Sequence, residues 1–227
     1  MTRSGKSTTL SNTLLATLLL ALAPLAHADD DACRMALGRG WAPATENYGL
    51  AVEKLFAGAT PATFHVTVLP ATAVEWGVLL IPGATPDSDW TLRYAQADER
   101  VRAWQGGQLQ LRTSEAPETQ DAPIPARVAS RVVEQWRAVL ASAAPEGSSA
   151  PFSEKDAWTF QAGDLRVSGL QPGCELGELM RDQLDLLIEA SDEGPEKRER
   201  RWRALEESLD TMARLRESAY GQAVDAP

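Results

Sequence analysis

The clearest hydrophobic pattern in the chain lies between Ala126 and Ala144, where apolar residues recur every three or four positions. These positions are Val128, Val132, Val133, Trp136, Val139, Leu140 and Ala143. The spacing places them on one stripe of an α-helix, and the charged residues of the segment lie mostly off that stripe. Such a stripe has to be covered by a sheet or by another helix. We therefore expect the rest of the chain to supply a layer that packs against this helix.

Alternating apolar and polar residues predict strands on both sides of this helix. Before it, the candidates are Thr63–Leu69, Ala73–Ile81, Trp90–Ala95, Val101–Trp104 and Gln108–Arg112. After it, they are Ala157–Gln161 and Leu165–Ser168. Gly106-Gly107 and Gly163-Asp164 are typical of the tight turns of β-hairpins. Because the connections are short and contain no helix, we expect the strands to pair antiparallel.

The segment from Ala44 to Gly58 is predicted to be a helix that precedes the strands. Thr45 is its expected cap, and its expected apolar face consists of Leu50, Ala51, Leu55 and Phe56. The acidic, proline-rich segment Thr113–Pro125 is interpreted as a surface crossing that leads into the 126–144 helix.

Two more helices are predicted at the end of the chain. The first has a broad apolar face over Leu176–Ile188, and the turn Ser191–Pro195 separates it from a second helix over Glu196–Tyr220. The second helix has a narrow apolar seam, and such a seam packs against one neighbour only. That neighbour is either the preceding helix, which gives a helical hairpin, or another protein chain. In the second case the candidate partner-binding residues are Trp202, Leu205, Leu209 and Met212.

Together these patterns predict an α+β fold: an antiparallel sheet of about five to seven strands, the 126–144 helix on one face, and a C-terminal helical hairpin. The expected domain organisation is a signal peptide over residues 1–28 and a single α+β domain over 29–190. Residues 191–227 are expected to be a C-terminal helical extension that packs back as a hairpin.

The first 28 residues have the features of an export signal. Arg3 and Lys6 are followed by an apolar run over Leu14–Ala26, and Ala26-His27-Ala28 matches a cleavage site with small residues. The run is shorter than the about 20 residues that a membrane span needs. We expect cleavage before Asp29 and a periplasmic or secreted chain without stable membrane insertion. An uncleaved N-terminal anchor is the alternative.

The charge balance restricts the choice of partner. The chain has 22 basic and 32 acidic residues, and removing residues 1–28 lowers its net charge from −10 to −12. Nucleic acids and anionic membranes are poor partners for such a protein. A basic envelope protein is a suitable partner, although ordinary solubility explains the acidity equally well.

Both cysteines, Cys33 and Cys174, fall within the expected mature chain. An exported protein with two thiols commonly forms one disulfide bond, which here would close a loop of 141 residues between positions 33 and 174. The alternative is a pair of buried free thiols.

Residues with catalytic or metal-binding potential are few. His65, the single histidine of the expected mature chain, lies on a predicted strand without a nucleophile motif, so a structural role is favoured. Asp87 and Asp89 could hold a hard cation or belong to an acid pair of glycosidase type. Turn formation explains both aspartates better. We predict no catalytic residues, no metal and no cofactor.

Several stretches resemble a group of uncharacterised signal-peptide-bearing, periplasmic or secreted proteins of Gram-negative bacteria. The resemblance spans about Thr63–Leu187, with Ala157 in place of the group's usual glycine, and it implies a fold but no activity. The stretches that carry it are Val66-Thr67-Val68-Leu69-Pro70, Glu75-Trp76-Gly77-Val78-Leu79-Leu80, Val132-Val133-Glu134-Gln135-Trp136 and Asp156-Ala157-Trp158-Thr159-Phe160.

The sequence therefore favours a non-catalytic periplasmic binding or inhibitory module over an enzyme. Its expected partner is a basic envelope enzyme or toxin, attracted by charge and held by tryptophans or by the last helix. Trp76, Trp136 and Trp158 are expected in the core instead. The alternatives are a hydrolase that uses Asp87 and Asp89, and an envelope scaffold that dimerises through the C-terminal helix.

Overall fold

The described part of the chain consists of nine strands and four helices, and its centre is one large antiparallel sheet. The computed structural model describes residues 35–43, 45–58, 61–171 and 173–224, all within one compact unit. The predicted signal peptide lies outside the described residues. The strands are β1 (Leu37–Arg39), β2 (Phe64–Leu69), β3 (Trp76–Ile81), β4 (Trp90–Gln96), β5 (Arg102–Gln105), β6 (Gln108–Leu111), β7 (Glu118–Ile124), β8 (Ala157–Ala162) and β9 (Leu165–Leu170). The helices are α1 (Glu46–Ala57), α2 (Ala126–Ala143), α3 (Glu175–Asp192) and α4 (Pro195–Val224).

Seven of these strands form the central sheet in the order β1-β9-β8-β2-β3-β4-β7, and every neighbouring pair is antiparallel. β5 and β6 pair with each other in a separate two-stranded sheet. α2 connects β7, at one edge of the central sheet, to β8 in its interior. The predicted α+β fold, with its antiparallel sheet and C-terminal helices, is confirmed. No described helix is both long and apolar enough to span a membrane.

One face of the sheet packs against α2 and α3, and α4 packs against these two helices. Alternation along β2 directs Phe64, Val66 and Val68 toward this face, where they join the main hydrophobic core. Trp136 of α2 is fully buried there, with its ring 4.9 Å from that of Phe64 and 5.9 Å from that of Phe160. The apolar stripe predicted for the 126–144 helix is thus the buried stripe of α2.

The opposite face of the sheet carries a second, smaller core under α1. Val52 and Phe56 of α1 pack there with Leu79 of β3 and with Trp41. The predicted apolar face of this helix was wrong in part, because Leu50 is 41% exposed and Val52 is buried. Gly49 is buried because the ring of Trp41 lies against it.

Thr45 does not cap α1 with its side chain, contrary to the prediction. Its hydroxyl donates a hydrogen bond to the carbonyl oxygen of Ala42 at 2.9 Å instead. The side chain is therefore used within the turn before the helix rather than on the helix amides.

The interpretation of Thr113–Pro125 as a surface crossing was wrong for its second half, which forms the edge strand β7. Polar residues are tolerated in it because every residue of β7 except Ala122 and Ile124 is exposed. Pro123 is tolerated because β7 has a neighbour, β4, on one side only. The short edge strand β1 was not predicted at all.

α3 and α4 form the predicted helical hairpin, and α4 also packs against α2. The apolar seam of α4 is buried by the chain's own core: Trp202 is 4% exposed, and Leu205, Leu209 and Met212 are fully buried. Arg131 of α2 pairs with Asp210 of α4 at 2.5 Å outside this seam. The assignment of these four residues to partner binding is therefore corrected: in this fold they are core residues that a partner cannot reach.

Candidate functional site

The largest exposed apolar side chain of the described residues lies on the two-stranded ribbon formed by β5 and β6. Trp104 is 73% exposed, and the neighbouring Leu109 and Leu111 are 43% and 38% exposed. Trp104 lies opposite Leu109, and Arg102 lies opposite Leu111. Residues that face each other in an antiparallel pair project from the same side, so the three apolar side chains share one side of the ribbon. We call Trp104, Leu109 and Leu111 the ribbon face.

The local sequence explains why this ribbon forms. Gly106 and Gly107 connect its strands with φ angles of +60° and +79°, as the two central positions of a type I′ turn require. The hairpin predicted from this glycine pair is therefore present. What the pattern did not indicate is that the hairpin leaves the central sheet. Residues 102–111 belong to neither of the two cores.

A buried carboxylate fixes the root of the ribbon to the body of the protein. Glu75 is fully buried, and its Oε2 accepts a hydrogen bond from the backbone amide of Val101 at 2.8 Å. The hydroxyl of Tyr48, on α1, donates to Oε1 of the same carboxylate. Burial and this hydrogen bond to Glu75 raise the pKa of Tyr48 well above its usual value, so the hydroxyl stays protonated and continues to donate.

Trp104 differs in environment from the other six tryptophans of the chain. Trp136 and Trp158 are buried as predicted, and Trp76 is half-buried and packs against the main core. Trp41 and Trp202 are also buried, and Trp90 is half-buried. A tryptophan is therefore available to a partner at the ribbon face. Tryptophan is one of the residue types enriched among binding hot spots.

His65 is buried, on the sheet face that α1 covers. Its Nε2 lies 3.0 Å from the hydroxyl of Thr67. Burial, and to a lesser extent the positive charge of Arg166, lower the pKa of His65 to about 4. The imidazole is therefore neutral and enclosed at neutral pH, which fits the hydrogen-bonded structural role favoured by the sequence.

Asp87 and Asp89 lie on an exposed loop before β4. They line a shallow cavity together with Arg127 and Ser130 at the start of α2, and His65 does not belong to that cavity. Within the described residues, no three His, Cys, Asp or Glu side chains are placed to hold a metal ion. The structure thus brings the two aspartates together without bringing them to the histidine.

Cys174 directly precedes α3 and is half-buried against the main core. Its expected partner Cys33 lies outside the described residues. The Cys33–Cys174 bond stays a prediction.

Comparisons of this chain with protein-family models, with curated proteins and with solved structures find no match. The resemblance to signal-peptide-bearing proteins of Gram-negative bacteria stays a prediction as well. The inference of function therefore rests on the chain's own surfaces.

Proposed function

We propose that this chain is a non-catalytic periplasmic or secreted module that binds another envelope protein through the ribbon face. The observation that supports this proposal is the 73% exposure of Trp104, with Leu109 and Leu111 beside it, on a ribbon that takes no part in either core. Exposing these side chains to water is unfavourable, and covering them on association recovers roughly 25 cal/mol for each Å² of apolar surface. A tryptophan of this kind is suited to insert into a pocket of a partner.

The charge of the chain favours a basic partner. The net charge is −10. The solvent-exposed residues of α3 are Glu175, Glu178, Arg181, Asp182, Asp185, Glu189 and Asp192. Partial burial and the neighbouring Asp182 and Glu189 raise the pKa of Asp185, so like charges are crowded on this helix. An excess of negative charge accelerates the encounter with a cationic protein, while the ribbon face would supply the specific contact.

The proposed partner is a basic envelope enzyme or toxin, and the proposed consequence of binding is its inhibition. Neither step requires chemistry from this chain. A protein that neutralises an enzyme has only to cover its active site, and a hairpin carrying one large aromatic anchor is a suitable shape for that purpose.

The test is affinity capture from a periplasmic extract with three immobilised proteins. These are the mature wild type, Trp104→Ser, and Gln105→Ser as the matched control, since Gln105 lies on the same strand but projects from the opposite side. We expect the wild type and Gln105→Ser to retain a common basic protein at low salt and to release it at high salt. Trp104→Ser should not retain it. Retention of the same proteins by all three, or by none of them, would contradict the proposal.

A further inference from the structure

A polar cavity of about 340 Å³ lies where the start of α1, the end of β2, the start of β5 and the segment before β8 meet. Three cationic side chains line it: Arg100, Arg102 and Lys155. One carboxylate, that of Glu154, lines it as well. The cavity therefore carries an excess of positive charge on a chain whose total charge is −10.

These three cations form no ion pair within the described residues, whereas seven other arginines do. The paired arginines are Arg93, Arg112, Arg127, Arg131, Arg137, Arg166 and Arg201. Arg100 donates from its guanidinium to the carbonyl oxygen of Pro70 at 3.2 Å. Its Nε is buried and has no hydrogen-bond partner among the described residues. A buried guanidinium donor without an acceptor is unfavourable, and the side chain that carries it lines the cavity, where an anion would interact favourably with its positive charge.

Arg102 is held in place without being neutralised. Its guanidinium carbon lies 5.8 Å from the centre of the Tyr48 ring, which is a cation–π contact. The nearby carboxylate of Glu75 accepts hydrogen bonds from the Tyr48 hydroxyl and the Val101 amide, and among the described residues it forms no ion pair with the Arg102 guanidinium. The guanidinium is thus positioned by an aromatic ring, while its charge remains available to a ligand.

Part of the remaining cavity wall is apolar and consists of Leu69, Pro70, Ala71 and Ala157. The hydroxyl-bearing residues Thr45, Tyr48 and Ser153 also line the cavity. Phe152, 63% exposed, stands at the same cavity. A ligand that fills this space therefore needs a negatively charged end and a small apolar part. A volume of about 340 Å³ is at the lower end of the range of small-molecule sites.

We propose that this cavity binds the oxyanion of a small amphiphilic ligand or chain end, namely a carboxylate next to small apolar groups, with Arg100, Arg102 and Lys155 as the anion-binding residues. The alternative source of the same oxyanion is free phosphate. This inference does not depend on the ribbon face binding a partner, because it rests on a different set of side chains.

The experiment uses three probes and the mature chain labelled with ¹⁵N: N-acetyl-Ala-Ala with a free carboxylate, the same dipeptide as its C-terminal amide, and inorganic phosphate. Backbone amide and arginine Nε–H signals are followed at low ionic strength, with equal ionic strength of sodium chloride as the reference. The variants are Arg102→Gln and Lys155→Gln, both exposed positions at which the fold should be unaffected. Arg112→Gln is the matched control, because Arg112 is close by in sequence but pairs with Glu99 and does not line the cavity.

We expect the free dipeptide to shift the Arg100 Nε–H signal and the amides around the cavity, and the amide form to leave them unchanged. Arg102→Gln and Lys155→Gln should each weaken binding about tenfold, the usual effect of removing one charge-assisted hydrogen bond, and Arg112→Gln should not. Saturable shifts with phosphate alone would support the oxyanion site with phosphate as its ligand. Absence of saturable shifts with all three probes, or equal weakening by Arg112→Gln, would overturn the proposal.

Discussion

Among single residues, Trp136 of α2 links the sheet to a second helix. Its ring contacts Phe64 and Phe160 of the sheet, and its Nε1 donates to Oε1 of Gln183 on α3 at 2.6 Å. The amide nitrogen of Gln183 in turn donates to the hydroxyl of Ser208 on α4 at 3.0 Å. One chain of buried and partly buried contacts therefore joins the sheet to α2, α3 and α4.

Trp136→Ala should lower the free energy of unfolding by about 3–5 kcal/mol, since it opens a cavity and leaves the Gln183 oxygen without its donor. Trp136→Phe keeps most of the ring and should cost less, leaving mainly the lost hydrogen bond. Urea unfolding followed by circular dichroism measures both. A loss of less than 1 kcal/mol for Trp136→Ala would contradict the placement of this residue in the core.

His65 predicts a defined pH dependence of stability. Its folded-state pKa is about 4, against an ordinary value of 6.5, so protons bind preferentially to the unfolded chain. Stability should be unaffected by this group above pH 6.5 and should fall as the pH drops from 6.5 toward 4. Between pH 7 and pH 4.5, the free energy of unfolding of the wild type should fall by about 2 kcal/mol more than that of His65→Gln, whose side chain does not titrate. Parallel pH profiles for the two proteins would contradict the burial of this imidazole.

Among the structural elements, the ribbon is attached to the body of the protein through the buried Glu75, which accepts a hydrogen bond from the Val101 amide. Glu75→Gln keeps an acceptor oxygen for the Val101 amide only if its NH2 group faces Tyr48, whose hydroxyl then has to accept instead of donate, and both hydrogen bonds lose the carboxylate charge. We expect a loss of about 1–3 kcal/mol in the free energy of unfolding. Amide hydrogen exchange should become faster over residues 101–111 and remain unchanged in β2 and β8. Uniformly faster exchange across the sheet would show that Glu75 supports the whole fold instead.

The packing of α1 predicts the effect of a substitution that helix propensity alone would get wrong. Gly49→Ala should favour the helix by up to about 1 kcal/mol. The new methyl group would lie within the Trp41 ring, whose Nε1 donates to Glu53 at 3.2 Å. Displacing the Trp41 ring should cost more free energy than the gain in helix propensity provides, so a net destabilisation of about 1–2 kcal/mol is expected in urea unfolding. Asn47→Ala, at an exposed position of α1, is the matched control and should be neutral or slightly stabilising.

The elements that the sequence predicted correctly are those with one buried side, because such a side requires apolar residues at regular intervals along the chain. β2 and α2 each present one apolar side to the main core, so their spacing of two and of three to four residues is visible in the chain. β7 escaped prediction because it is an edge strand with exposed residues over Glu118–Asp121, where polar side chains are favourable in any conformation.

In the candidate site, the features that depend on neighbouring residues were predicted, and those that depend on residues distant in the sequence were not. The Gly106-Gly107 turn is local, and it indicated the ribbon. The ribbon is separate from the central sheet because β4 pairs with β7 and not with β5. The role of Glu75 depends on Tyr48, which lies 27 positions away in the sequence. The Trp41 ring lies against Gly49 for an equally non-local reason, and no pattern within α1 indicates it. Contacts of this kind can be read from the tertiary structure but not from periodicity.

For the molecule as a whole, the two edge strands of the central sheet, β7 and β1, differ in length and in how they are held. β7 is seven residues long and pairs with β4 along its whole length. β1 is three residues long and pairs with β9, and its Arg39 also forms a single parallel bridge with Ser149. The Arg39 amide donates to the carbonyl oxygen of Ser148 at 2.9 Å, and its Nε donates to that of Ala144 at 2.7 Å. An additional constraint near β1 would therefore have a large effect on the edge at which the described chain begins.

The predicted Cys33–Cys174 bond would supply that constraint, since Cys33 precedes β1 by four positions in the sequence and Cys174 directly precedes α3. Closing a loop of this length removes entropy from the unfolded chain, worth up to about 4–5 kcal/mol. Unreduced protein should accordingly require more urea to unfold than reduced protein. The Cys33→Ser/Cys174→Ser double variant should match the reduced wild type and should not respond to reductant. Intact mass after alkylation without reductant decides the premise: two alkylated thiols per chain would contradict the bond, and β1 would then depend on β9 and on the contacts that Arg39 makes with Ala144, Ser148 and Ser149.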